Sequence, residues 1–388
     1  MISKLVQQIQ PSGIRVFFDL VLGMPDVISL GVGEPDFVTP WSIREAGIYS
    51  LEQGYTSYTS NKGLYRLRLE ISRYLKRKYG LSYDADSQIL ITVGVSEAKD
   101  LAVRSLINPG DKVIITDPSY VSYAPLVTLA GGLPISIVTT MKDKFKINPQ
   151  KLDELCHKQK PKIIFLNYPS NPTGASYRKK ELQTLARVIL KHKLVVISDE
   201  IYGDLTYDFQ HSPFSTLEGT KKNTIYLNGF SKSYAMTGWR VGYACGPTDV
   251  IAAMTKIHQY TIMCVPITSQ MAACEALVSG QKSVEEMKDE YRRRRQFVFE
   301  ELNKIGLRCI KPDGAFYVFP SIKSTGLSSM EFANRLLKEQ KVAVVPGTAF
   351  GVSGEGYIRI SYASSMENLK EALGRMKRVL QKVKGERC

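Results

Sequence analysis

The stretch Lys162-Ile163-Ile164-Phe165-Leu166-Asn167 decides the fold. Its four consecutive apolar residues leave no polar face for water, so a strand built from them must be covered on both sides. Leu194-Val195-Val196-Ile197-Ser198 repeats the pattern. Between the two, Lys179–Lys191 has the length of a crossover helix. Strand, helix and strand in this order describe a parallel sheet sandwiched by helices. Working outward, short apolar runs recur at Gln88–Val93, Lys112–Thr116, Leu133–Val138, Thr224–Asn228 and Val241–Cys245. The expectation is an α/β core whose mostly parallel sheet has seven strands.

Both ends of the chain read differently. Strand-like Ala315–Pro320, Val342–Val345 and Tyr357–Tyr362 are mixed with helical stretches. Met366, Leu369, Leu373, Met376, Leu380 and Val383 form the apolar stripe of a last amphipathic helix. The start, with Gly31, Gly33, Pro35 and Pro40, reads as an irregular arm with one early helix. A chain of 388 residues is long for one core. We expect residues 1–45 to be an arm and part of a smaller α+β domain, 46–280 a large domain, and 281–388 the rest of the smaller one.

The net charge of +15 raises the question of a nucleic-acid partner. The densest basic run, Arg292–Arg295, follows acids, with Asp289 facing Arg293 and Glu290 facing Arg294 at helical i,i+4 spacing. Lys76, Arg77 and Lys78 end another helical stretch, where positive charge suits the helix dipole. No basic stripe is interleaved with aromatics, so no nucleic-acid partner is expected. The six cysteines are scattered, with no CxxC pair and no Cys/His cluster, so neither a metal site nor a disulfide framework is expected. The N-terminus lacks the apolar core of a signal peptide and no run reaches membrane-spanning length. The expected location is the cytoplasm, with no membrane partner.

Four polar stations follow strands of the central sheet, where open α/β sheets bind ligands. Gly94-Val95-Ser96-Glu97-Ala98 opens a helix and suits a phosphate, although such a loop is often only a connection. Asn171-Pro172-Thr173-Gly174 is a turn, which Asn171 serves either as a cap or as a ligand group. Ser198-Asp199-Glu200-Ile201-Tyr202 places two acids at a strand end, where they act as helix caps or as site groups. Phe230-Ser231-Lys232-Ser233 holds a lysine in a small, apolar setting, and Arg240 follows. Such a lysine either snorkels to the surface or, with its charge disfavoured, becomes a nucleophile.

Taken together, the stations match the needs of a phosphorylated heterocycle carrying a carbonyl group. It requires an amine, a carboxylate for the ring nitrogen, neutral donors for the ring oxygen, and a cationic, amide-rich phosphate site. Lys232, Asp199, Asn171 with Tyr202, and Ser96–Ala98 with Ser231 and Arg240 supply these in turn. With NYPSNPTGA, SDEIYGDLTYD, NGFSKSYAMTGWRVGY, PDGAFYVFP and VVPGTAFG in this order, the chain resembles the fold-type-I, class I aminotransferases. The resemblance runs from LGVGEPDF to GYIRISYA and is greatest to the aromatic and broad-range branch.

That resemblance implies the cofactor pyridoxal 5'-phosphate and roles for particular residues. Lys232 matches the Schiff-base lysine and Asp199 the partner of the pyridinium nitrogen. Asn171 and Tyr202 match the pair at the ring oxygen. Arg240 and Ser231 match phosphate ligands, together with the Ser96, Glu97 and Ala98 loop. Tyr120 matches the aromatic stacked on the ring. Tyr58 matches a tyrosine reaching the neighbouring subunit's phosphate, which implies a homodimer with shared active sites. Arg359 matches the arginine on the substrate α-carboxylate, and Gly33 a backbone position beside the substrate. The chain departs from the pattern at GVSEA and at Gly229, where some branches carry a serine. No arginine matches the one that dicarboxylate-specific relatives use for the distal carboxylate, and Arg15 on the arm is either a substitute for it or a structural residue.

The function implied is ping-pong transfer of an amino group from an aromatic or broad range of L-amino acids to a 2-oxo acid such as 2-oxoglutarate. Phe17, Tyr58 and Phe350 are candidate pocket aromatics. The alternatives are an aspartate or acyl-diaminopimelate aminotransferase, or a C–S β-lyase on the same fold.

Overall fold

A computed structural model describes residues 1–11, 13, 24 and 26–386, so Arg15 and Phe17 lie outside the described residues. Among the described residues twelve strands follow in chain order: β1 (Ile28–Ser29), β2 (Ile89–Thr92), β3 (Lys112–Asp117), β4 (Leu133–Val138), β5 (Ile163–Asn167), β6 (Val195–Asp199), β7 (Thr224–Gly229), β8 (Gly242–Cys245), β9 (Tyr317–Val318), β10 (Val342–Ala343), β11 (Val345–Pro346) and β12 (Ile358–Ser361). The second to eighth form one seven-stranded sheet, in the order β2-β8-β7-β6-β5-β3-β4. Every apolar run singled out in the sequence supplies one of its strands.

The five strands β3 to β7 run parallel to their neighbours. Only β8 is reversed against both β7 and β2. The link Phe230–Val241 forms turns and no helix, so the chain doubles back rather than crossing over. Ile163–Leu166 on β5 are all buried, as a strand covered on both faces requires. The covering helices, among them Gly94–Leu106 and Lys179–Lys191, press their apolar faces on the sheet.

Register brings the four stations to one edge. Asn167 is level with Asp199, and Asp199 with Leu227. Gly229 is level with Gly242, and Gly242 with Thr92. The two glycines let the start of the Gly94 helix approach the sheet. A Cβ on Gly242 would lie 2.7 Å from the Gly94 carbonyl carbon, and one on Gly229 would lie 2.9 Å from the Gly242 Cα. The departure noted at Gly229 therefore has a packing reason.

The smaller sheets draw on both chain ends. β1 pairs in parallel with β10, while β11, β12 and β9 form an antiparallel sheet. The single strand expected at Val342–Val345 is thus two, each in a different sheet. Leu369, Leu373, Met376, Leu380 and Val383 bury the expected stripe of the helix Met366–Gly385. The basic run also differs from expectation. Asp289 pairs with Arg292 rather than Arg293, and Glu290 takes both Arg293 and Arg294 at 2.8 Å. Arg294 and Arg295 are buried and reach Asp36 and Asp208, each at 2.8 Å. Among the described residues no helix is long and apolar enough to cross a membrane.

Candidate active site

A cavity of about 470 Å³ opens at the carboxyl edge of the large sheet, and all four stations reach it. Gly33, Ser96, Tyr120, Asn171, Asp199, Tyr202, Ser231, Lys232, Arg240 and Arg359 line it. Three residues assigned from the sequence do not. Ala98 is fully buried in the helix. The Glu97 side chain turns back to accept from the Val93 amide at 2.5 Å and to bond His258 at 2.6 Å. Tyr58 is 81% exposed.

The Lys232 ammonium is half-buried and donates to the Gly33 carbonyl at 2.7 Å. Burial lowers its pKa to about 8; Glu34 opposes the shift, while Arg359, Arg240 and Lys99 reinforce it. A useful fraction of free amine is therefore present near neutrality.

Asp199 and Glu200, adjacent in sequence, point to different networks. Glu200 is buried among Ser198, Tyr168, His211 and the Phe214 amide. Asp199 faces the cavity and accepts from the Tyr123 hydroxyl at 2.9 Å. Lys99 approaches the same carboxylate oxygen to 3.9 Å. Burial raises the Asp199 carboxyl pKa, and the Lys99 charge is the largest influence opposing it. Asn167 donates to the Asp199 carbonyl and accepts from the Asn171 amide, both at 3.0 Å, which ties the Asn171 turn to β6.

Arg359 is 1% exposed. It donates to Asn171 Oδ1 at 2.9 Å and to the Gly31 carbonyl, and lies over the Tyr317 ring. Its Nε has no partner, and among the described residues no carboxylate pairs with it. A buried guanidinium whose hydrogen-bond partners are neutral, here Asn171 and the Gly31 carbonyl, suits an anion, because no acid balances its charge. Asn171, having given its oxygen to Arg359, keeps its amide NH₂ to donate. The Tyr202 and Tyr317 hydroxyls share a hydrogen bond of 2.9 Å.

At the other end of the cavity Arg240 takes a left-handed backbone (φ 54°) and donates to the Thr237 carbonyl at 2.8 Å. Its guanidinium covers Gly94, where a Cβ would lie 2.6 Å from Nη2. The helix N-terminus, Ser96, Ser231 and this guanidinium form a cationic, donor-rich pocket fit for a phosphate. With the Lys232 amine and the buried Asp199 acid, the cavity contains the features that a phosphorylated pyridine aldehyde requires.

Sequence reading missed Lys99, Tyr123 and Tyr317. Lys99 and Tyr123 are helical residues that look like ordinary surface and core positions, and only the fold aims them at Asp199. Tyr317 carries a usable signal, since it lies within the motif PDGAFYVFP.

Residues 25–376 match the family model for aminotransferase class I and II. The chain belongs to this family. YugH of Bacillus subtilis, named only as an aminotransferase, is 55% identical over 98% of both chains. The aspartate aminotransferase of Pyrococcus abyssi is 44% identical over 98% of this chain and 99% of its own. Among solved structures, the aromatic aminotransferase of Pyrococcus horikoshii superposes with a TM-score of 0.90 at 44% identity, covering 96% of this chain and 99% of that one. The protein is thus a fold-type-I transaminase, and class I aminotransferases use pyridoxal phosphate and act on amino acids and 2-oxo acids.

Proposed function

We propose that this aminotransferase binds pyridoxal 5'-phosphate through Lys232 and takes its amino group from an aromatic or broad range of L-amino acids, with 2-oxoglutarate as acceptor. The observation that carries the reading is the buried, acid-free Arg359 guanidinium in the same cavity as Lys232. When bound, the cofactor supplies an aldehyde that takes up the amino group and a ring that withdraws electrons from the neighbouring carbon.

The chain's own residues do the rest. Arg359 grips the α-carboxylate with two parallel hydrogen bonds and so fixes where Cα lies. The Lys232 amine would serve as the base that takes the proton from the substrate Cα and as the acid that gives one back, tasks suited to a pKa of about 8. Asp199 would hold the protonated ring nitrogen. Asn171 and Tyr202 would donate to the ring oxygen, and Arg240, Ser231 and the Ser96 end of its helix would hold the phosphate. The amino group is stored between two half-reactions, so the kinetics are ping-pong.

The preference for an uncharged side chain rests on the four cavity cations, Lys99, Lys232, Arg240 and Arg359. Lys232, Arg240 and Arg359 each have a task other than a distal carboxylate, Lys99 is held beside Asp199 at 3.9 Å, and Val32 and Tyr317 offer apolar and aromatic lining. Tyr58 and the exposed Trp41, Ile48, Tyr49 and Leu51 support a homodimer in which Tyr58 serves the partner's phosphate. We also propose the division into 1–45, 46–280 and 281–388, with the cofactor held by the middle part.

The test is an absorbance titration of cofactor-loaded protein with one amino acid at a time and no oxo acid. Phenylalanine or tyrosine is expected to bleach the cofactor's visible band, while aspartate does so poorly. Bleaching led by aspartate would point instead to the activity for which the Pyrococcus abyssi relative is named.

A further inference from the structure

Lys99 has no part in the roles above, yet its ammonium is among the most deeply buried charges of the cavity, at 3% exposure. It donates to Ser122 Oγ at 3.1 Å and lies 4.3 Å from the centre of the Tyr120 ring and 5.2 Å from that of Tyr123. These contacts pin a side chain that is otherwise free to snorkel. Its nearest acid is Asp199, at 3.9 Å. The carboxylate that would hold a protonated ring nitrogen therefore has a second cation of its own, fixed by three neighbours.

We propose that Lys99 is a positioning residue for Asp199: it keeps that buried carboxylate ionised when the ring is absent and weakens its hold on the ring proton when the ring is present. Two cations then share one carboxylate, and each makes the other less favourable. The protein sets by this means how strongly the ring draws electrons. The second half of the proposal rests on the pyridoxal phosphate reading, while the first does not.

The test is a double-mutant cycle on the cofactor-free protein with Lys99→Met, Asp199→Asn and the pair. Lys99→Met is expected to lower Tm when Asp199 is present. In the Asp199→Asn background it should be neutral or stabilising, because a lone buried charge is worse than none. A shift of equal size and sign in both backgrounds contradicts the proposal. In protein loaded with pyridoxal phosphate labelled with ¹⁵N in the ring, Lys99→Met should move the nitrogen resonance towards the pyridinium value. An unchanged resonance also overturns it. Failure of the protein to take up any pyridoxal phosphate would sink the cofactor reading, and the cycle would still decide the Lys99–Asp199 pairing.

A separate cluster carries a second inference. The chain has only four histidines, and two of them, His157 and His192, meet Asp153 on the outside of the large sheet's helical layer. Asp153 and His157 share one face of the helix Pro149–Gln159, and His192 caps the end of the helix Lys179–Lys191. One ligand atom from each lies within 4.8 Å of the other two. His192 Nε2 is 2.6 Å and His157 Nε2 3.7 Å from the Asp153 carboxylate, and the imidazole rings are edge-to-face at 4.7 Å. Lys191 also pairs with Asp153, at 2.8 Å, through a half-exposed side chain that is able to swing into water.

The geometry points to a two-histidine, one-carboxylate site for zinc or a similar first-row divalent ion, clamping the two helices and leaving a coordination position for water. Spacing along the sequence had suggested no such site, because the ligands come from helices that only the fold brings together. The test is calorimetric titration of the chelator-treated holoenzyme with Zn²⁺ alone. One ion per chain should bind and raise Tm by about 3 °C near hundredfold saturation. Both effects should vanish in His157→Ala and in His192→Ala, with transamination intact. Equal zinc uptake in the double variant, or none in the wild type, overturns the site.

Discussion

Burial brings the Lys232 ammonium down to about 8 against an ordinary 10.5, with Glu34 opposing and Arg359, Arg240 and Lys99 assisting. A lysine whose charged form is disfavoured on folding costs stability most below its folded pKa. The cost fades as pH rises towards the unfolded value, because in that window the unfolded chain binds more protons. Cofactor-free wild type should therefore gain on Lys232→Met between pH about 8 and 10.5, by at most about 3 kcal/mol. Denaturant unfolding of the two proteins across that window checks the sign. Arg359 offers a second test at this scale. Arg359→Lys keeps the charge and loses the planar fork, so it should raise KM and lower kcat/KM by about 10- to 100-fold, the value of one or two charge-assisted hydrogen bonds. Steady-state kinetics with the best donor measure it, and an unchanged kcat/KM would remove Arg359 from the substrate.

The approach of the Gly94 helix to β8 shapes the end of the cavity proposed for the phosphate. Gly94 has φ +67°, and a Cβ there would lie 2.6 Å from Arg240 Nη2. Gly94→Ala should displace the guanidinium and cost about 1 kcal/mol from backbone strain alone. It should weaken cofactor binding more than it lowers Tm of the cofactor-free protein, as equilibrium dialysis beside thermal melts would show. At this scale the sequence was informative where periodicity is strong. Runs such as Ile163–Leu166 can be covered only on both faces, so all seven strands of the large sheet were legible. The short strands were less so. Val342–Val345 is one apolar run, yet its halves pair with different sheets, a choice made by tertiary partners and not by local preference. The site divides in the same way. Asp199 ends β6, and Lys232, Asn171 and Arg240 sit in turns beside strand ends, where their chemistry stands out. Lys99 and Tyr123 lie within or beside helices, and only the packing of those helices aims them at Asp199. Glu97 carried a phosphate-loop assignment, but its side chain answers to His258, a residue far along the chain that no local reading pairs with it.

In the whole molecule the helix Trp41–Glu52 packs on Ile267–Ser279 and leaves Trp41, Ile48, Tyr49 and Leu51 exposed. Apolar side chains gathered on one helix are a natural place for a second copy. Sedimentation should give about twice the chain mass of 43.5 kDa. Tyr49→Asp with Leu51→Asp should return the mass to that of one chain and weaken cofactor retention, since Tyr58 would no longer reach a partner. A dimer that persists in this variant would place the interface elsewhere.

The central claim is that one amine, that of Lys232, takes up the cofactor, and the cavity holds a second buried lysine, Lys99, as an internal competitor. Borohydride reduction of pyridoxal-phosphate-loaded protein, followed by peptide mass mapping, tests the claim most directly. The account predicts the reduced adduct on Lys232 alone, at one per chain, and none in Lys232→Ala. An adduct on Lys99, or no adduct on a protein that nonetheless transaminates, would contradict it.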